Sequence, residues 1–275
     1  MIVDMHVHVL PESSAQRTTR LFTDRTGEKL IYDFSINKLL ERMGSAVDKT
    51  CINNGVLRGD LVPKASNWVA KQVQLNPDRL VGMYTPHPDM QDTAGELERS
   101  IKELGFKGVK LNPSLHHYYP EDPRMRPFWE KANELAIPVL THGGRNVEDF
   151  KIGKLDSTRR FCEPSGFRPI IEAYPNITYI IAHFAGFEDY GDEAVKIVND
   201  YPNVYTDISM MFSRLSPEQI IAYIRAVGAK KVMFGSDYPG FDPQEYVRKI
   251  NAFDLTDAEK SAIMGDNAAR VFKLH

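Results

Sequence analysis

The sequence predicts an α/β chain folded as a single (β/α)8 barrel, with a metal site at the C-terminal mouth of its strands. Three observations lead there. Short apolar runs alternate with helix-patterned stretches roughly eight times along the 275 residues, the rhythm of a barrel of parallel strands. Several of these runs end in His or Asp. The glycine motifs of phosphate-binding doubly wound sheets, G-x-G-x-x-G or G-x-x-x-x-G-K-[ST], are absent. No low-complexity linker divides residues 1–275, so the chain reads as one domain.

The first apolar run, residues 1–10, carries Asp4, His6 and His8 and is stopped by Pro11. In a strand, side chains repeat with period two, which places Ile2, Asp4, His6 and His8 on one face. Two imidazoles one pleat apart can reach a single cation, and imidazole suits zinc, iron, copper and nickel. An isolated His-x-His can equally sit on a half-exposed strand. Here the pair ends an apolar run, follows an acid and precedes a proline, which is the strand end where parallel α/β proteins place their chemistry.

Residues 12–33 read as a long polar connection whose Arg17, Arg20 and Arg25 could receive a carboxylate. Ile36, Leu39, Leu40, Met43 and Val47 then recur at helical spacing, with Ser35 as N-cap. Strands are expected at 48–53, 80–84, 106–111, 137–142, 177–183, 204–207 and 231–237. The run at 177–183 is nearly all apolar, the pattern of a strand buried on both faces. Helices are expected at about 64–75, 92–104, 127–135, from 169, 188–199, 217–227, 243–250 and 257–272, most of them bounded by caps or prolines.

His142, His183 and Asp237 close the fifth, sixth and eighth predicted strands. In a barrel they meet His6 and His8 around one mouth, although they are scattered along the chain. Singly, His142 or His183 reads as a hydrogen-bonded core histidine and Asp237 as a helix cap. Five metal-competent residues at four strand ends make those readings coincide repeatedly, and three or four of them would complete a catalytic site with an open position.

Composition narrows the class. A formal net charge of −3 gives no electrostatic case for nucleic acid or anionic membrane. No apolar run reaches the ~18–20 residues that span a bilayer, and the N-terminus lacks a signal pattern. Cys51 and Cys162 are far apart and in no C-x-x-C pair, which fits a reducing cytoplasm and argues against a disulfide framework or a thiolate zinc site.

Ile-Val-Asp-Met-His-Val-His at 2–8, Gly-Phe-Lys-Gly-Val-Lys-Leu-Asn-Pro at 105–113, Thr-His-Gly-Gly at 141–144, Ile-Ala-His-Phe-Ala-Gly at 181–186, Phe-Gly-Ser-Asp-Tyr-Pro at 234–239 and Gly-Asp-Asn-Ala-Ala-Arg-Val-Phe at 265–272 together resemble the amidohydrolase superfamily. The likeness is to the amidohydrolase-related group that includes aminocarboxymuconate semialdehyde decarboxylase, and it covers nearly the whole chain. It implies one divalent ion, usually Zn2+, with His6, His8 and His142 as nitrogen ligands and Asp237 as the carboxylate ligand. It also implies Asp237 and His183 as the catalytic acid/base and polarising groups. The physical reading agrees, because such an ion makes hydroxide available near neutral pH.

In binuclear members of that superfamily a carboxylated lysine on the fourth strand bridges two metals. In this subgroup the corresponding Gly-Val-Lys-Leu accompanies a single metal, so Lys110 is expected to bind substrate or pair with an acid. Arg145 and His87 are further candidates for substrate contact. His87 and the pair His116 and His117 also read as ordinary loop histidines.

The leading expectation is hydrolysis of an amide, lactone or ester-like bond in a small molecule. The alternative is non-oxidative decarboxylation on the same scaffold, which needs a cation to seat a carboxylate. A non-catalytic barrel would show a disrupted ligand set, and all five positions are intact. A polymerase-and-histidinol-type phosphoesterase also opens His-x-His but gathers three metals, and eight histidines leave few ligands to fill it. Specificity would lie in the mouth loops 12–33, 113–122 and 143–165. A homodimer is a habit of the family.

Overall fold

A computed structural model describes residues 1–27, 29–145 and 161–274. Part of the predicted mouth loop 143–165 and the side chain of Arg25 lie outside the described residues. The strands are β1 (Val3–His8), β2 (Lys49–Asn53), β3 (Leu80–Tyr84), β4 (Gly108–Leu111), β5 (Val139–Thr141), β6 (Tyr179–Ile181), β7 (Val204–Asp207) and β8 (Val232–Met233). They form one eight-stranded sheet in sequence order, every neighbouring pair parallel, with helices between them. The segment after β8 returns to β1: Met5 N donates to Phe234 O at 3.0 Å, Asp237 N to His6 O at 2.8 Å and His8 N to Tyr238 O at 2.8 Å. The predicted (β/α)8 barrel is what the chain forms.

Alternation along the strands sorts side chains into two clusters. Val3, Met5, Cys51, Val81, Met83, Leu140, Ile180 and Met233 fill the barrel, with Ala268 and Phe272 of the last helix (Asn267–Phe272) joining them. Their neighbours on the same strands, such as Ile52, Tyr84, Val109, Val139 and Ile181, pack outward with helix residues such as Leu39, Val69, Leu97 and Ile224. The helices start where side chains satisfy free backbone donors. Ser35 accepts from Lys38 N before Ile36–Met43, and Asp92 accepts from Gly95 N before Thr93–Lys102.

Four expectations need correction. The register of β1 shifts between Asp4 and Val7. Ile2, Asp4, His6 and His8 therefore do not share one uninterrupted face: Val3 and Met5 fill the barrel, His6 falls within the irregularity and His8 after it. Residues 12–26 are not a loop but the helix Glu12–Thr26, ended by Gly27 at φ 77°. Its buried contact rests on Ala15 and the partly buried Phe22, a stripe too narrow to show as periodicity in a polar segment. Arg17 and Arg20 stand exposed on that helix. Finally, β6 and β8 are shorter than expected, so His183 lies two residues past β6 and Asp237 four past β8.

Candidate functional site

The barrel mouth gathers the polar side chains that end the strands. Among the described residues, two groups bring ligand atoms within 4.8 Å of one another: His6, His8 and Asp237, and His6, His183 and Asp207. The hydrogen bonds around them fix the histidine tautomers. His6 Nδ1 lies 2.7 Å from Asp207 Oδ2; an ionised carboxylate only accepts, so Nδ1 carries the proton and Nε2 a lone pair. His8 Nδ1 faces Asn53 Oδ1 at 3.2 Å, and Asn53 Nδ2 donates to Val7 O at 2.6 Å, so here too Nδ1 is the donor and the neutral ring keeps its lone pair on Nε2. Both lone pairs face Asp237 Oδ1, at 3.4 Å from His6 and 3.3 Å from His8.

A second chain of bonds runs from Asp207 to His142. Asp207 Oδ1 accepts from Ser209 Oγ at 2.5 Å, from Ser209 N at 3.1 Å and from His183 N at 2.8 Å. His183 Nδ1–H then points at Ser209 Oγ, 2.8 Å, and Ser209 O, 3.2 Å. That leaves His183 Nε2 to accept from His142 Nδ1 at 3.1 Å. His142 Nε2 is consequently a lone pair, buried and without a hydrogen-bond partner among the described residues. His142 belongs to neither group of converging atoms, but it presents the same tautomer as His6 and His8.

Electrostatics keep these groups in ligating form. Burial, aided by the Lys110 ammonium, pushes His6 down to about 4. Burial likewise lowers His142 and His183. For Asp207 and Asp237, burial alone would raise the carboxyl pKa; the imidazoles around them outweigh it and hold both below the usual carboxylate range. The donor chemistry fits a divalent ion: neutral imidazole nitrogens and an ionised carboxylate converge, and an unpaired imidazole lone pair lies beside them. Lys110, 1% exposed, reaches His6 Nε2 at 2.8 Å, and burial lowers it to about 8.

Two of the site positions sit on unusual backbone. Asp237 has φ 61°, and His183, Phe184, Ala185 and Gly186 form a left-handed turn with φ of 58°, 52°, 54° and 78°. The conformation costs about 1–2 kcal/mol for each non-glycine residue. Several contacts hold the turn: the His183 N–Asp207 bond, the Tyr223 hydroxyl donating to Phe184 O at 2.9 Å, and Tyr223 stacked on Phe184 with ring centroids 4.0 Å apart. Gly186 also meets Gly144 face to face; a Cβ on Gly186 would lie 2.6 Å from Gly144 Cα.

The other candidates for substrate contact, His87 and Arg145, lie outside these two groups. His87 is buried against His116, ring centroids 4.6 Å apart, and its Nδ1 accepts from Asp89 N at 3.1 Å. His116 donates from Nε2 to Val56 O at 2.9 Å. Arg145 is exposed, with its backbone N–H on Asp189 Oδ2 at 2.8 Å. Sequence reasoning missed Asp207, Ser209 and Asn53. Asp207 and Asn53 carried the signal already used for His142, a polar residue closing an apolar strand; Ser209 carried none.

Fold and site define a (β/α)8 barrel whose mouth holds a histidine–carboxylate cluster competent to bind metal. The chain belongs to the amidohydrolase family, whose model matches residues 3–274. A 2-keto-4-carboxy-3-hexenedioate hydratase of a Sphingobium species is 28% identical over 75% of this chain and 70% of its own. The gamma-resorcylate decarboxylase of Rhodococcus jostii is 23% identical over 78% of this chain and 77% of its own. Among solved structures, a dihydroxybenzoic acid decarboxylase of a Polaromonas species, with bound manganese and the inhibitor 2-nitroresorcinol, superposes with TM-score 0.73. It is 19% identical, over 99% of this chain and 97% of that one, a likeness of fold. No helix among the described residues is long and apolar enough to cross a membrane.

Proposed function

We propose that this chain is a metal-dependent lyase that releases carbon dioxide from a small carboxylic acid, with one divalent ion held by His6, His8, His142 and Asp237. The observation that carries the ligand set is the tautomer pattern: each of the three histidines has Nδ1 committed as a donor and keeps a lone pair on Nε2. The reaction class rests on the relatives named above, which are a hydratase and a decarboxylase rather than hydrolases. This favours the decarboxylase alternative over the hydrolysis that the sequence put first. Zinc, expected from the sequence, and manganese both suit a histidine–carboxylate set.

An ion held by these residues would supply positive charge that favours an acidic substrate in the mouth. The chain's own groups do the rest. Lys110, once released from His6 Nε2, offers an ammonium to the substrate's carboxylate. Asp237, held ionised, accepts the proton of a substrate hydroxyl and delivers it to the carbon that bears the carboxylate. The carbon–carbon electron pair then returns to the substrate's conjugated system as carbon dioxide leaves, and the substrate oxygen regains a proton from water. His183, fixed by Ser209 and Asp207, accepts from His142 Nδ1 at 3.1 Å and so keeps the His142 Nε2 lone pair available.

The test is the metal content of gently purified protein and of His142→Ala, followed by headspace assay of carbon dioxide from hydroxybenzoates and unsaturated acids. About one ion per chain, lost in the variant, with carbon dioxide released, supports the reading. Amine release or ring opening without carbon dioxide restores hydrolysis. A second reading, addition of water to an unsaturated acid, is favoured by the hydratase relative; loss of the alkene absorbance without carbon dioxide identifies it.

A further inference from the structure

The mouth contains a buried hydroxyl that the site described above does not use. Thr85 follows β3, and Pro86 after it disfavours the helical region for Thr85, so the strand's inward–outward alternation continues one residue further. Met83 belongs to the barrel interior and Tyr84 packs outward among the helices, which turns Thr85 inward. Met83 pairs with Gly108 and Tyr84 with Val109, so the next step sets Thr85 level with Lys110, one strand spacing of about 4.8 Å away. On the other side of Lys110, β5 leads to His142. Three inward polar groups thus lie on adjacent strands.

Thr85 is 7% exposed, and its Oγ1 is buried with no hydrogen-bond partner among the described residues. Buried hydroxyls are paired as a rule, because an unpaired one forfeits its bonds to water. A hydroxyl left unpaired on the strand next to that of the buried Lys110 matches a partner from outside the chain that accepts two hydrogen bonds. Lys110 can only donate and the hydroxyl can donate once, so the pair fits the two oxygens of a carboxylate.

We propose that Thr85 is a substrate-binding residue, whose hydroxyl joins the Lys110 ammonium to hold the substrate's carboxylate. This rests on the carboxylic-acid reading above. The metal-loaded full chain, Thr85→Val and Thr85→Ser are titrated by calorimetry with 2,6-dihydroxybenzoate and with resorcinol, which is the same ring without its carboxylate. Thr85→Val is expected to weaken the acid about tenfold or more, a hydrogen bond to a charged group, and to leave resorcinol within about twofold. Thr85→Ser keeps the acid's affinity within about threefold. The ligand-free Thr85→Val protein melts at or above the wild-type midpoint, because the unpaired hydroxyl is gone.

Equal affinity of wild type and Thr85→Val for the acid overturns the assignment. So does a lowered ligand-free midpoint with parallel losses for both ligands, which marks a structural hydroxyl. A wild type that binds neither 2,6-dihydroxybenzoate, benzoate nor fumarate overturns the carboxylic-acid reading itself, and the assignment with it.

Discussion

Replacing Asp207 by Asn tests whether one buried carboxylate sets the ligating state of His6. The substitution keeps size and shape. Asn Oδ1 can still accept from His183 N, Ser209 N and Ser209 Oγ, as Asp207 Oδ1 does at 2.8, 3.1 and 2.5 Å. The other atom becomes an NH2 facing His6 Nδ1 across what is now a 2.7 Å contact. Two donors cannot share that contact, so His6 changes tautomer: Nδ1 accepts and the proton moves to Nε2, the atom that faces Asp237. Ligation then requires restoring the unfavourable tautomer. Loss of such an outer-shell partner typically costs 10–100-fold in metal affinity, or about 1.4–2.8 kcal/mol. Competition titration with a chromophoric chelator measures the affinity, and nitrogen NMR of the imidazoles reads the tautomer directly. A variant that melts normally and binds metal within about twofold of wild type would refute the tautomer argument.

Two further outcomes are expected. Tyr223→Phe removes the hydroxyl that donates to Phe184 O at 2.9 Å and loosens the left-handed turn carrying His183. It should cost about 0.5–1.5 kcal/mol in urea denaturation and lower turnover more than apparent substrate affinity; unchanged turnover would separate the turn from catalysis. The second concerns pH. Burial pushes His6 and His116 down to about 4, below the ~6.5 of an unfolded histidine. At these two groups the unfolded chain therefore binds more protons between those values, and each makes stability fall as pH drops from about 6.5 to 4, by at most about 3 kcal/mol per histidine. His116→Gln should flatten that slope in metal-free protein; a slope unchanged from wild type would show that His116 does not contribute to it.

The strand order and the strand-end residues were legible because parallel buried strands are short apolar runs, and a polar residue at the end of such a run stands out. That made His142, His183 and Asp237 visible one by one. The same signal lay at Asp207, but without a bonded partner in view an aspartate ending a strand looks like any cap. The helix Glu12–Thr26 was hidden because its buried stripe is only as wide as Ala15 and Phe22.

Sequence alone determined the rhythm of the barrel and the residue types at its mouth, since both follow from local burial patterns. Only the tertiary structure decided how those residues are used. His6 falls within the irregularity of β1, a left-handed turn presents His183, and Asp207, 201 residues away in the chain, selects the nitrogen that His6 offers. Tautomer and direction depend on partners brought together by barrel closure, and no stretch of sequence contains both members of such a pair.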